Sequence, residues 1–319
     1  MIKDVYMTKV VALAGGVGGA KLARGLSRIL DPQDFSVIVN TGDDFIHYGL
    51  NISPDLDTVL YNLAGINNTE TGWGRKDETW NCLRELNLLG DEPWFNLGDR
   101  DLALHMERTR LLSQGHSLTE VTRMLGLKLG VKPAIYPMTD DRVSTIIETE
   151  EYGEIPFQEY FVKYHFEPKL LNYRFEGIKK ARLNHEARRV IETADLIVIC
   201  PSNPWLSVMP ILGVENTTEI IKSKTCVAIS PIVGKEAIKG PASKIFTEMG
   251  IVPSAMEVAK LYKDTIKGFV LDHQNRDECI QIQGWGIIPL VTDTIMKDDC
   301  SKERLAKEVI DFASQISKG

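Results

Sequence analysis

The chain has 319 residues, 43% hydrophobic and 25% charged, with a formal net charge of -7. That balance belongs to a folded globular protein, and the acidic excess argues against general nucleic-acid binding or adsorption to a membrane surface. Five cysteines (Cys82, Cys200, Cys226, Cys279, Cys300) stand far apart, with no CxxC pair and no zinc spacing, as expected of reduced thiols in a cytoplasmic protein.

In chain order, MIKDVYM lacks a signal-peptide layout, and Met7 is an alternative start. No apolar run reaches the roughly 20 residues that span a bilayer. Short β-branched runs then alternate with helical segments: Val10–Ala14, Ser36–Asn40, Ala134–Pro137, Leu196–Cys200, Cys226–Ser230, Phe269–Asp272 and Ile287–Val291 read as strands. The alternation predicts an α/β fold with a mostly parallel sheet. Residues 55–130 have helical periodicity and read as a helical insertion, and residues 143–175 as a small β-rich insertion, both within one domain over 1–319. Six strands end in AGG, NTGDD, PMTDD, CPSNP, SPIVG and VTD. In an open parallel sheet the ligand sits beyond the carboxyl ends of the strands, so these tails are expected to be neighbours.

The first tail, Gly15, Gly16, Val17, Gly18, Gly19, Ala20, Lys21, fails two familiar patterns. Lys21 stands where a dinucleotide fingerprint needs glycine or alanine, and Ala-Lys-Leu replaces the Gly-Lys-Ser/Thr of a Walker loop. Asn40 also replaces the acidic residue that would clamp a ribose. A glycine loop opening a helix, with Lys21 in its first turn, remains an anion site. The plainer reading is a tight turn.

The second tail, Asn40, Thr41, Gly42, Asp43, Asp44, is followed by Asp55 and Asp57 at the start of a helix led by Pro54. Acids in a first turn can simply complement the helix dipole. Asp43 and Asp44 beside a phosphate site repel its ligand unless a cation intervenes, which points to Mg²⁺ on Asp44 and Asp57. Further on, NLGDRDLALHMERTR offers Asp99 as an N-cap and Arg100 as a planar fork for phosphate or a flat ring. Arg108 and His105 share a face three residues apart, His105 is undecided, and Arg110 reads as solvated. Ser202 and Asn203 lie in CPSNP. A second glycine-containing loop runs through Ser230, Gly234, Lys235, Gly240, Ala242, Ser243 and Lys244.

Taken together, AGGVGGAKLARGL, NTGDDF, GLNISPDLDTVLY, WFNLGDRDLALH, LTEVT, PMTDDRVST, FQEYFV, CPSNPWLSV, AISPIVG, KGPASK and FVLD span nearly the whole chain. In them the sequence resembles the 2-phospho-L-lactate transferases of coenzyme F-420 biosynthesis. The resemblance implies a Rossmann-like fold and a Mg²⁺-dependent homodimer acting on two small molecules. A phospholactyl or phosphoenolpyruvyl group would pass from a guanosine diphosphate conjugate to the terminal ribityl hydroxyl of the deazaflavin Fo, releasing GMP.

It further implies that Gly15, Gly16, Gly18, Gly19 and Lys21 serve the diphosphate, and that Asp44 and Asp57 hold the metal or act as base. Arg100, with Asp55 nearby, would face the deazaflavin or the transferred phosphate. Asn40, Thr41, Asp43 and Asp99 would also bind substrate, and Ser202, Asn203, Ser230 and Lys244 would help hold the nucleotide. Arg142 and Ser243 depart from the family pattern, so Arg142 is not placed in the site. Which loop takes which ring, and lactyl against enolpyruvyl, stay open. The alternatives are another Mg²⁺-dependent nucleotide-conjugate transferase and a non-catalytic nucleotide sensor.

Overall fold

The computed structural model describes residues 9–234, 236–237, 242–248 and 250–318. Met7, Lys235 and Gly240 therefore lie outside the described residues. In chain order the strands are β1 (Val10–Ala14), β2 (Phe35–Val39), β3 (Phe45–His47), β4 (Leu50–Ile52), β5 (Ala134–Pro137), β6 (Ser144–Thr149), β7 (Gly153–Pro156), β8 (Leu170–Glu176), β9 (Leu196–Ile199), β10 (Thr225–Ile229), β11 (Ile232–Val233), β12 (Glu236–Ala237), β13 (Gly268–Asp272) and β14 (Ile288–Thr292). The helices that matter here are α1 (Gly16–Ile29), α2 (Pro54–Ala64), α3 (Asn81–Leu88), α4 (Asp99–Ser113) and α5 (Leu118–Lys128).

Seven strands form one parallel sheet in the order β14-β13-β10-β9-β1-β2-β5. This is a Rossmann-like α/β fold, with each expected strand within a residue of its place. The sheet is parallel because each crossover returns the chain to the same end of the sheet before the next strand begins. Its central strands β1 and β9 are apolar throughout because both faces are covered, while β14 at the edge is partly exposed. Along β1, Val10, Ala12 and Ala14 enter one core, while Val11 and Leu13 enter the other. The first core holds Leu22 and Leu26 of α1 and Leu56 and Leu60 of α2. The C-terminal helix Asp299–Lys318 lies so close to α1 that a Cβ on Gly25 would strike the Lys302 carbonyl. The second core is capped by the antiparallel sheet β7-β6-β8.

Two elements differ from the sequence expectation. The stretch after Asp44, read as loop, contains the short antiparallel hairpin β3–β4. Asp99 does not cap α4: Gly98 is the N-cap, and Asp99 is the first helical residue. Its carboxylate instead accepts the Asn81 and Cys82 amides at the start of α3. Glu78 returns the favour, accepting the Arg100 amide at 2.8 Å and the Asp101 amide at 3.2 Å. The two helix starts thus exchange capping carboxylates, and α3 buries none of its own residues.

Candidate active site

The order of strands reverses between β1 and β9, and this is where a parallel sheet opens a crevice. The β1–α1 turn faces the tail of β9 there. The Gly15 amide donates to Ser202 Oγ at 3.1 Å, and the Gly16 amide to Asp55 Oδ1 at 2.7 Å. A Cβ on Gly15 would stand 2.5 Å from Asp55 Oδ2 and 2.6 Å from Ser207 Cβ, so only glycine fits. Gly16 has a φ of +59°, which also favours glycine. A carboxylate thus occupies the first amide of a helix start that the sequence offered to an anion. The amides of Val17 and Gly18, in the first turn, have no partner one turn back inside the helix, and both residues line the cavity. Lys21 falls in the second turn of α1 rather than the first. It lines the cavity, with Nζ donating to the Met296 carbonyl at 3.0 Å.

Behind this turn lies a buried carboxylate group organised by Asn40. Its Nδ2 donates to Asp55 Oδ2 at 2.9 Å, Asp43 Oδ2 at 3.3 Å and the Leu206 carbonyl at 3.3 Å, and its Oδ1 accepts the Gly42 amide. An acid at position 40 would face two other acids, which explains the missing ribose clamp. Asp44 Oδ2 accepts from Ser53 Oγ at 2.7 Å. Asp43 Oδ1, Asp44 Oδ1 and Thr41 Oγ1 are buried with no protein partner. Burial, reinforced by neighbouring acids, pushes the Asp43 and Asp44 carboxyls well above the usual range, and burial raises that of Asp55 against its hydrogen bonds.

Asp57 is held differently. Arg108 reaches across from α4 and grips both its oxygens, Nη2 on Oδ1 and Nη1 on Oδ2, the latter at 3.0 Å. Arg108 is 1% exposed and Asp57 5%. Arg108 Nη1 also lies 3.1 Å from His105 Nδ1. A guanidinium can only donate, so Nδ1 accepts and the neutral ring carries its proton on Nε2. Burial brings His105 down to about 4, so it is uncharged at neutral pH. Nearby, burial lifts the Asp101 carboxyl to about 6.

These groups line a cavity of about 760 Å³. Its floor is the glycine turn with Asp43, Asp55, Asp57, Asp101 and His105; another wall is aromatic, formed by Phe157, Phe161 and Phe166. Phe157 stacks on Phe161 at 5.5 Å, and Phe161 on Phe166 at 5.9 Å. Trp73 and Phe95 line it as well.

Of the residues expected in the site, the cavity brings together Gly15, Gly16, Gly18, Lys21, Asp43, Asp55, Asp57, Ser202 and Asn203. Asn40 and Thr41 are buried just behind, and Gly19 packs against Ser202 Oγ. Asn203 caps the turn at Trp205 and Leu206. Asp44, Asp99, Arg100, Ser230 and Lys244 are not among the described lining residues. Arg100 is exposed, Ser230 is buried against Ile232, and the Lys244 ammonium is turned to the carbonyls of Phe166, Glu167 and Pro168. The arginine that grips a lining acid is Arg108, itself just behind the lining, and the sequence signalled it only through its shared face with His105.

No group of three or more His, Cys, Asp or Glu able to hold a metal occurs among the described residues. The donor set nonetheless suits a hard cation that takes one or two carboxylates and completes its shell with substrate oxygens and water. Asp43 Oδ1 is an orphaned buried oxygen on a cavity residue. Each Asp57 oxygen keeps lone-pair capacity beyond its bond to Arg108.

Residues 10–303 match the family described as 2-phospho-L-lactate transferase CofD. The 2-phospho-L-lactate transferase of Methanocaldococcus jannaschii is 38% identical over 310 residues, covering 96% of this chain and 99% of that one. That of Methanopyrus kandleri is 40% identical, covering 97% and 98%. The phosphoenolpyruvate transferase of Kitasatospora aureofaciens is 37% identical, covering 98% and 99%. Among solved structures, a UPF0052 family protein from Bacillus halodurans shares the fold, with a TM-score of 0.62 at 15% identity over 94% of this chain and 98% of that one. No helix among the described residues is long and apolar enough to cross a membrane.

Proposed function

The chain belongs to the CofD family of 2-phospho-L-lactate transferases, a transferase family of coenzyme F-420 biosynthesis, and from that premise we propose the following reaction. A phospholactyl or phosphoenolpyruvyl group passes from its guanosine diphosphate conjugate to the ribityl hydroxyl of Fo, and GMP leaves. The observation that carries this reading is one cavity with two unlike walls, a glycine turn backed by carboxylates and a stack of phenylalanines. The first suits a diphosphate with a cation, the second a flat ring. Incubating the protein with Fo, Mg²⁺ and either donor should give GMP and a deazaflavin phosphodiester on chromatography. Absence of both with both donors sinks the proposal. The homodimer and the cytoplasmic location are carried as proposals from the family, and light scattering tests the first.

Mg²⁺, when bound, would neutralise charge on the transferred phosphoryl group and its leaving oxygen. We assign it to Asp57 with Asp43, because both line the cavity, and place Asp44 in support through Ser53. Asp43 binds no proton when it binds a cation, so added Mg²⁺ should release protons and raise the Tm, and Asp43→Asn should remove both responses. Unchanged calorimetric proton release in Asp43→Asn would refute this assignment.

The chain's own residues position the reactants. The Val17 and Gly18 amides and Lys21 face the diphosphate, and Arg108 fixes the orientation of Asp57. The hydroxyl oxygen forms the new P–O bond as the bond to GMP breaks, and its proton passes to a carboxylate. Asp101 suits this proton transfer because it lines the cavity, and its carboxyl, lifted to about 6, is more basic than an ordinary aspartate yet ionised at neutral pH. Transfer should therefore decline as pH falls through about 6. Asp101→Asn should cost about 10²-fold or more in kcat while keeping the Mg²⁺-induced rise in Tm; wild-type kcat in that variant rejects the role.

A further inference from the structure

Lys244, expected from the sequence to touch nucleotide, is engaged elsewhere. It sits on the helix Ala242–Glu248, and its Nζ donates to three successive carbonyls, those of Phe166, Glu167 at 3.1 Å and Pro168 at 2.9 Å. An ammonium carries three donors, and here one turn of backbone takes all of them. The same nitrogen lies 5.6 Å from the centroid of the fully buried Tyr160 ring and 3.3 Å from Glu248 Oε1. Glu248 in turn accepts the Leu170 amide at 3.1 Å, so the helix grips the 166–170 segment at two points.

The gripped turn has an unusual backbone. His165 and Phe166 are consecutive non-glycine residues at φ 51° and 49°. Side chains hold that left-handed conformation only where their surroundings impose it. Both residues line the cavity, and Phe166 ends the stack that runs through Phe161 to Phe157. The direction of the Phe166 ring follows from the turn, and the turn is tied by Lys244.

We propose that Lys244 is a positioning residue for the ring-bearing substrate: it sets the aromatic wall by clamping the 166–168 turn and touches neither substrate. This rests on the reading above that the phenylalanine stack takes the flat ring, and that reading has its own control in Phe161→Ala. The experiment measures kcat and the separate KM values for deazaflavin and guanosine donor in the wild type and in Phe161→Ala, Lys244→Met and Lys244→Arg, with thermal melts throughout.

In Lys244→Met the deazaflavin KM is expected to rise about tenfold, the loss of charge-assisted bonds in a positioning element, with donor KM and kcat nearly unchanged. Lys244→Arg, still able to donate to carbonyls, should recover most of the loss. An unchanged deazaflavin KM in Lys244→Met beside a raised one in Phe161→Ala overturns the clamp and leaves the wall standing. An unchanged value in Phe161→Ala overturns the wall itself. A raised donor KM in Lys244→Met returns Lys244 to the nucleotide and also overturns the clamp. If Lys244→Met loses its cooperative melt, Glu248→Gln, which removes the ion pair, carries the same test with a smaller rise in deazaflavin KM, and no rise there overturns it.

Discussion

Arg108→Met is expected to destabilise the fold by about 3–5 kcal/mol, the cost of leaving one member of a buried ion pair without its partner. Arg108 and Asp57 are almost wholly shielded from water, and Arg108 supplies both hydrogen bonds to the Asp57 carboxylate. It is also an attractive charge for Asp44, so its loss leaves more than one acid uncompensated. Urea denaturation measures the effect through the midpoint. The double variant Asp57→Leu/Arg108→Met should recover much of the stability, because neither charge then remains, while transfer activity stays lost. A single-variant cost under about 1 kcal/mol would mean that the pair behaves as a solvated surface bridge.

The second large effect is expected at Asn40. Asn40→Asp removes a donor shared by Asp43, Asp55 and the Leu206 carbonyl, and sets a third carboxyl among two buried ones. The cost is about 2–4 kcal/mol, from lost hydrogen bonds and like-charge repulsion at a fully buried position. Its pH dependence has a definite sign. The introduced carboxyl is held protonated by its surroundings, so its folded pKa is raised above the unfolded one. The protein is then least affected in acid, and the penalty grows as pH climbs from about 4 through that raised value. Melts of wild type and variant between acid and neutral pH should converge at the acid end. Parallel curves would show that lost donor geometry, rather than charge, dominates.

The parallel sheet was legible in the sequence because its signals are local. Runs such as VVALA and LIVIC are β-branched and apolar, and each ends in glycine, proline or aspartate, which stop strands for their own reasons. The hairpin at Phe45–Ile52 was missed because two three-residue strands are too short for a period to appear. The glycine turn and the acids of NTGDD and SPDLD were legible as neighbours, and all but Asp44 of those acids line one cavity. Arg108 was not. Its partner Asp57 lies 51 residues earlier, and helical spacing gives a face without saying what that face meets. Arg100 drew notice through its flanking aspartates, but Asp99 serves the start of α3, Asp101 turns to the cavity, and Arg100 is left in solvent. Lys244 shows the same limit, since KGPASK discloses a cation and not the direction of its side chain.

The exchange of capping carboxylates between Glu78 and Asp99 bears on how the cavity is reached. Trp73, Phe95, Asn96 and Leu97 line the cavity, and they flank α3, which buries none of its residues. A handful of hydrogen bonds at two helix starts, each of the order of 1 kcal/mol, fasten this stretch near Asn81 and Gly98, and Trp94 and Phe95 anchor its far end against Phe45 and His47 of the hairpin. Its amides should therefore exchange with deuterium by local opening, far faster than those of β1 or β2, and a bound ring substrate should slow them selectively. Selective slowing there would place the substrate's way in at the two helix ends, above a sheet that stays folded.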